Sequence, residues 1–171
     1  MYDLVLKNCN VVNENVVSEV DIGINNERIE KIAGNISSEA RNEIDLQGKL
    51  LIPGLIDDQV HFREPGLTHK GEIATESKAA IAGGVTSYFE MPNVNPNTST
   101  IENLEKKFDI AANKSYANYS FYLGATNDNI EEIKKSDPNA SCGLKVFMGA
   151  STGDLLAVSY THLRAHETPL H

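Results

Sequence analysis

The pattern of apolar residues changes at Pro53-Gly54, and the two patterns predict different architectures. Before this point, short β-branched runs follow one another, with Asn25-Asn26 as a candidate hairpin turn between two of them. After it, apolar segments of strand length alternate with segments of helical composition. Such alternation is typical of a parallel sheet with helical crossovers. The sequence therefore predicts a small β-sandwich-like domain over residues 1–52, followed by an α/β domain.

The second pattern predicts the first half of a TIM (β/α) barrel over residues 53–157. Strands are predicted at residues 55–62, 85–91, 120–124 and 143–147, and helices at 72–82, 100–114 and 129–135. The second helix opens on a Ser99/Thr100 cap, with acidic residues in or near its first turn. Because a closed β/α barrel has eight strands, four strands leave the barrel incomplete in this chain.

Charge and composition narrow the class of partner. The 171 residues have a formal net charge of −9, and Lys and Arg do not gather into a basic patch, which argues against nucleic acid as a ligand. No apolar run has the length of a membrane span, and the first residues do not resemble a secretion signal, so a cytoplasmic protein with a small-molecule substrate is expected. Cys9 and Cys142 lie far apart and are expected to be reduced thiols.

Polar residues follow the first predicted barrel strand, where β/α barrels place their active sites. In an extended strand, Gln59, His61 and Arg63 point to the same side. A neutral imidazole is a common ligand of divalent metals, and a guanidinium offers a planar fork that suits a carboxylate. This segment therefore predicts a metal ligand at His61 beside an anion-binding Arg63.

Two later strand ends carry further candidates. Asn93, after Glu90-Met91-Pro92, can donate and accept hydrogen bonds; alone, it would be read as a turn residue. Lys145 is the only charged residue of its predicted strand, and alternation places it on one face with Phe147, toward the barrel interior. Burial there would leave a neutral amine, which can add carbon dioxide and become a carbamate ligand able to bridge two metal ions. A lysine that reaches solvent at the barrel mouth is the alternative.

These motifs resemble the dihydroorotase branch of the amidohydrolase superfamily over residues 2–156. The more specific matches are His61-Phe62-Arg63-Glu64-Pro65-Gly66 and Met91-Pro92-Asn93. Leu144-Lys145-Val146-Phe147-Met148 is similar to the segment whose lysine is carboxylated in hydantoinases and many dihydroorotases. The resemblance implies that Arg63 and Asn93 hold the substrate carboxylate. It also implies one or two zinc ions, held by His61 and carboxylated Lys145. The implied reaction is the reversible hydrolysis of dihydroorotate to N-carbamoyl-aspartate in pyrimidine biosynthesis, by an enzyme that can form homo-oligomers.

The chain departs from the family pattern in two places. Most members have His-x-His where this chain has Gln59-Val60-His61, so Gln59 is a doubtful ligand, because an amide oxygen binds metal weakly. Members also continue for about another half barrel, which supplies more histidine ligands and a general-base aspartate, so no catalytic residue is expected in this chain. Residues 158–171 do not resemble the family; they look like a translated read-through, although His162 and His166 have the i,i+4 spacing of a metal pair.

Two alternatives to dihydroorotase stay open. An allantoinase or hydantoinase would act on rings that need no carboxylate clamp, and the presence of Arg63 with Asn93 argues against it. A catalytically silent scaffold that supports a partner enzyme such as aspartate transcarbamoylase is favoured by Gln59. The fragment itself is expected to be inactive alone.

Overall fold

A computed structural model describes residues 1–149 and 155–157. The chain divides into two compact units, Met1–Pro53 and Gly54–His171. Within the described residues, no helix is long and apolar enough to cross a membrane.

The first unit is a five-stranded sheet. Its strands are β1 (Tyr2–Asn13), β2 (Val16–Asn25), β3 (Arg28–Ala33), β4 (Ala40–Asp45) and β5 (Leu50–Leu51). The order is β3-β2-β1-β4, with β5 also beside β1; β1 pairs antiparallel with β2 and parallel with β4 and β5. The separate β-branched runs of the sequence join into long strands, because an irregularity between Leu6 and Cys9 lets β1 continue past the interruption. The turn predicted at Asn25-Asn26 is centred one residue later, on Asn26 and Glu27, which have φ of 48° and 62°.

Asp21 ties this sheet to the loop that follows β3. Its side chain is 3% exposed and accepts hydrogen bonds from Lys7 Nζ at 3.0 Å and from the backbone N–H groups of Asn8 and Ile36, each at 2.9 Å. Burial alone would raise the pKa of Asp21, but these donors and the Lys7 charge together lower it. The carboxylate is therefore held ionised as a structural crosslink.

The second unit is a parallel sheet with helical crossovers. The strands are β6 (Leu55–Val60), β7 (Val85–Glu90), β8 (Asn118–Gly124) and β9 (Gly143–Lys145), in the order β6-β7-β8-β9, and the helices are α1 (Ile73–Ala82), α2 (Ile101–Lys114) and α3 (Ile130–Lys135). The predicted cap of α2 is confirmed, since the Thr100 side chain accepts from Asn103 N–H. Side chains from the sheet and from α1 and α2 form the core. The predicted α/β half-barrel is therefore confirmed.

Three strand boundaries differ from the predicted ones by two residues, and β7 ends one residue earlier than predicted, at Glu90. β8 begins two residues earlier, at Asn118, while β6 and β9 end two residues earlier, at Val60 and Lys145. For β6 the reason is local: Arg63 has φ of 71°, so the backbone turns away from the extended conformation soon after Val60. The residues expected to continue β6 therefore lie in its βα loop.

Candidate active site

The loops after β6 and β7 lie side by side at the carboxyl end of the sheet. Val60 pairs with Glu90, and the Met91 N–H donates to the Val60 carbonyl at 3.0 Å. Parallel strands deliver their following loops to the same edge of a sheet. The residues predicted from the two motifs are therefore brought together by register.

Asn93 contacts His61 directly. His61 Nδ1 is 3.0 Å from Asn93 Oδ1, and Asn93 is buried while His61 remains exposed. Because an amide oxygen only accepts, this bond places the imidazole proton on Nδ1 and leaves Nε2 with its lone pair. Partial desolvation, with the positive charges of Arg63 and Lys145, lowers the pKa of His61. These effects outweigh the Asn93 hydrogen bond, which raises the pKa, and they favour the neutral form of the ring that binds metals.

Arg63, two residues after His61, has a backbone φ of 71°, which non-glycine residues rarely adopt. Its N–H donates to Glu90 Oε1 at 2.9 Å, and its Nη1 lies 3.5 Å from the Asn93 carbonyl oxygen. The prediction that strand alternation sets its direction is wrong, because β6 has ended and φ is positive. The guanidinium nevertheless reaches the segment that carries Asn93. His61, Arg63 and Asn93 therefore form one cluster.

Lys145 lies at the end of β9, where it pairs with Gly124 of β8. Its Nζ is 5.1 Å from the centroid of the Phe147 ring, although β9 ends at Lys145 and strand alternation therefore does not set the direction of Phe147. The side chain is half-buried rather than buried, because β9 has a neighbouring strand on one side only among the described residues. The full burial predicted for Lys145 is therefore not found among the described residues. Its charge is nevertheless near enough to His61 to affect that residue's pKa.

Gln59 lies in β6 with an exposed side chain, and its N–H donates to Asp57 Oδ1 at 3.0 Å.

Across residues 1–149 and 155–157, no three His, Cys, Asp or Glu side chains come together as a metal site. A catalytic zinc site commonly uses three protein ligands. Two of the protein ligands of such a site could come from His61, whose Nε2 is not the atom bonded to Asn93, and from Lys145. The predicted His162 and His166, and the whole tail 158–171, lie outside the described residues.

Sequence reasoning missed a buried ion pair behind the cluster. Glu90 of β7 and Lys107 of α2 are both fully buried, with Lys107 Nζ 3.2 Å from Glu90 Oε2. The signal was present: Lys107 lies three residues after Leu104 and four before Ala111, on the buried stripe of α2. A charge on that stripe needs a buried partner.

Comparison with known proteins places this arrangement in a family. The model of the Dihydro-orotase-like family matches residues 48–137. An allantoinase of Desulfitobacterium hafniense is 39% identical over 144 residues, which cover 84% of this chain and 31% of that protein. A dihydroorotase of Methanosphaera stadtmanae is 33% identical over 174 residues, covering 99% of this chain and 39% of that protein.

A solved structure extends the likeness to the fold. The L-hydantoinase of Arthrobacter aurescens superposes with a TM-score of 0.87 at 30% identity, covering 92% of this chain and 35% of that one. The chain spans about a third of the length of the curated relatives it matches. The family model covers more than half of the chain and includes the His61, Arg63 and Asn93 cluster. This chain therefore belongs to the Dihydro-orotase-like family.

Proposed function

We propose that this chain forms part of the active site of a dihydroorotase, which reversibly hydrolyses the ring amide of dihydroorotate to give N-carbamoyl-aspartate. The convergence of Arg63, Asn93 and His61 carries the proposal. The Arg63 guanidinium and the Asn93 amide, which suit a carboxylate, lie beside an imidazole whose Nε2 is not the atom that bonds to Asn93. Dihydroorotate carries a ring carboxylate, whereas allantoin and hydantoin do not.

The two polar side chains have separate roles in substrate binding. The Arg63 guanidinium pairs with the carboxylate through its planar fork. Asn93 uses Oδ1 to hold His61, and we assign its Nδ2–H donors to the substrate carboxylate. Binding at these two groups fixes the orientation of the ring and thereby the position of the amide that is hydrolysed.

Zinc is the proposed cofactor, one or two ions, held in part by His61 Nε2 and by Lys145 as its carbamate. When bound, such an ion lowers the pKa of water and polarises the amide carbonyl. Asn93 prepares the ligand by fixing the tautomer of His61, the role that hydrogen-bonded partners of metal-binding histidines commonly play. Gln59 is at most a weak additional ligand.

The test uses the complete natural gene product that contains this sequence. After supply of zinc and bicarbonate, we expect bound zinc and turnover of dihydroorotate. Metal-free protein without turnover would instead favour the silent scaffold, the alternative that Gln59 supports.

A second candidate is an allantoinase or hydantoinase, favoured by the 39% identity to the D. hafniense allantoinase and the fold shared with the L-hydantoinase. The two candidates differ in the substrate's negative charge. We expect kcat/KM for dihydroorotate to exceed the values for allantoin and hydantoin. The reverse order would assign the chain to the second candidate.

A further inference from the structure

The buried pair of Glu90 and Lys107 lies directly behind the site cluster. Both side chains have no exposed surface, and Lys107 Nζ also lies 4.9 Å from the centroid of the Phe121 ring. Glu90 Oε2 has no directed hydrogen bond among the described residues, so its partner is the Lys107 charge at 3.2 Å. Removing two charges from water offsets much of their attraction, so stability alone is a poor explanation for such a pair.

Each member of the pair holds the backbone of a different site loop. Glu90 Oε1 accepts the Arg63 N–H at 2.9 Å, at the residue whose φ of 71° turns the chain out of β6. Lys107 Nζ donates to the Met91 carbonyl at 3.1 Å, two residues before Asn93. An ion pair between rigid elements, β7 and α2, thus connects both loops.

We propose that Glu90 and Lys107 are positioning residues that hold Arg63 and Asn93 at the separation a substrate carboxylate requires. The inference rests on the proposed function for the identity of that carboxylate. The pair itself touches no substrate; it acts on the two loops through one backbone N–H and one backbone carbonyl. Its loss should therefore weaken substrate binding more than it slows the chemical step.

The experiment compares two double variants of the complete gene product. Glu90→Leu with Lys107→Met removes both charges and both backbone contacts and fills the same space with apolar side chains of similar size. Buried ion pairs often tolerate such a replacement. Glu90→Gln with Lys107→Met keeps an oxygen that can accept the Arg63 N–H. Lys106→Met, at the preceding residue of α2, whose side chain is exposed, is the matched control.

For the Leu/Met variant we expect KM for dihydroorotate to rise at least about tenfold, with kcat within about threefold and zinc content unchanged. For the Gln/Met variant we expect a smaller rise, because the Arg63 contact is retained. The Lys106→Met control should stay within about twofold of the unsubstituted enzyme. Equal KM values in all four proteins would overturn the proposal, as would loss of zinc in parallel with activity.

Amide hydrogen exchange gives a second measurement that needs no turnover. We expect the Arg63 amide of the unsubstituted protein to exchange slowly, since it donates to a buried carboxylate. The Gln/Met variant should retain that protection and the Leu/Met variant should lose it. Fast exchange in the unsubstituted protein would overturn the inference even if the variants did not fold. If the protein did not turn over dihydroorotate yet showed this exchange pattern, the proposed function would fail while the positioning role stood.

Discussion

Lys107→Met alone should be strongly destabilising. Methionine fills much of the same space, so a cavity contributes little, but Glu90 loses its ion-pair partner at 3.2 Å and the Met91 carbonyl loses a donor. Breaking a fully buried pair by removing one member costs about 3–5 kcal/mol. That loss is a large part of the ~5–15 kcal/mol by which natural domains are stable. The free energy of unfolding, measured in urea on the complete gene product, checks this value.

The loss should also depend on pH. Burial raises the pKa of Glu90 even with Lys107 beside it, and removing that cation raises it further. A carboxyl group whose folded-state pKa lies above its unfolded-state value favours the folded protein at low pH, where the group is protonated. That contribution to the free energy of unfolding is lost as pH rises through the folded-state pKa. The deficit of Lys107→Met should therefore be greatest at alkaline pH and shrink on acidification. A deficit independent of pH, or no larger than that of the exposed control Lys106→Met, would refute the reasoning.

Three further predictions concern other parts of the chain. Arg63→Lys in the complete gene product should retain zinc but lower kcat/KM for dihydroorotate at least about tenfold, since lysine lacks the planar fork; zinc loss on metal analysis would show that Arg63 supports the metal instead. Asp21→Asn should destabilise by about 1–3 kcal/mol in urea at neutral pH, because a buried acceptor is weakened. The lowered pKa of Asp21 means that its contribution is lost as pH falls through the folded-state value, so the variant should differ less from the parent in acid; an equal difference at both pH values would contradict this. The 171-residue chain expressed alone should aggregate and be inactive, because β6 has one strand partner among the described residues and exposes Leu55 and Ile56; a soluble, active monomer in ultracentrifugation would contradict it.

Local signals in the sequence predicted much of the fold. The Thr100 cap and the helical composition after it placed α2 correctly, because capping acts within a few residues. The parallel pairing of β1 with β4 was not predicted, since it joins segments about 40 residues apart and has no local signature. The early end of β6 was also missed, because the conformation of Arg63 is held by a carboxylate from another strand.

The candidate site was predictable in its residues but not in its contacts. The motifs indicated His61, Arg63 and Asn93, and register brings their loops together. The bond between Asn93 Oδ1 and His61 Nδ1 could not be read from the sequence, because it depends on side-chain orientation across two loops. The exposure of Lys145 differed from expectation because burial depends on neighbouring strands, whereas alternation reports only which face a residue occupies.

The bond between Asn93 and His61 has a consequence for changing the specificity of such an enzyme. Under the proposed function, one amide serves two tasks, since Oδ1 orients the imidazole while Nδ2 is left to contact the substrate. Aspartate would keep an acceptor for His61 but would repel a carboxylate, and leucine would abandon both tasks. Evolution or engineering toward uncharged rings therefore has to keep at residue 93 a side chain that accepts from His61, either an amide or a carboxylate. Arg63 is different, because its main-chain N–H makes the contact to Glu90 and leaves the side chain free to vary. Selection for an uncharged ring substrate should alter position 63 first and keep a side-chain acceptor for His61 at position 93.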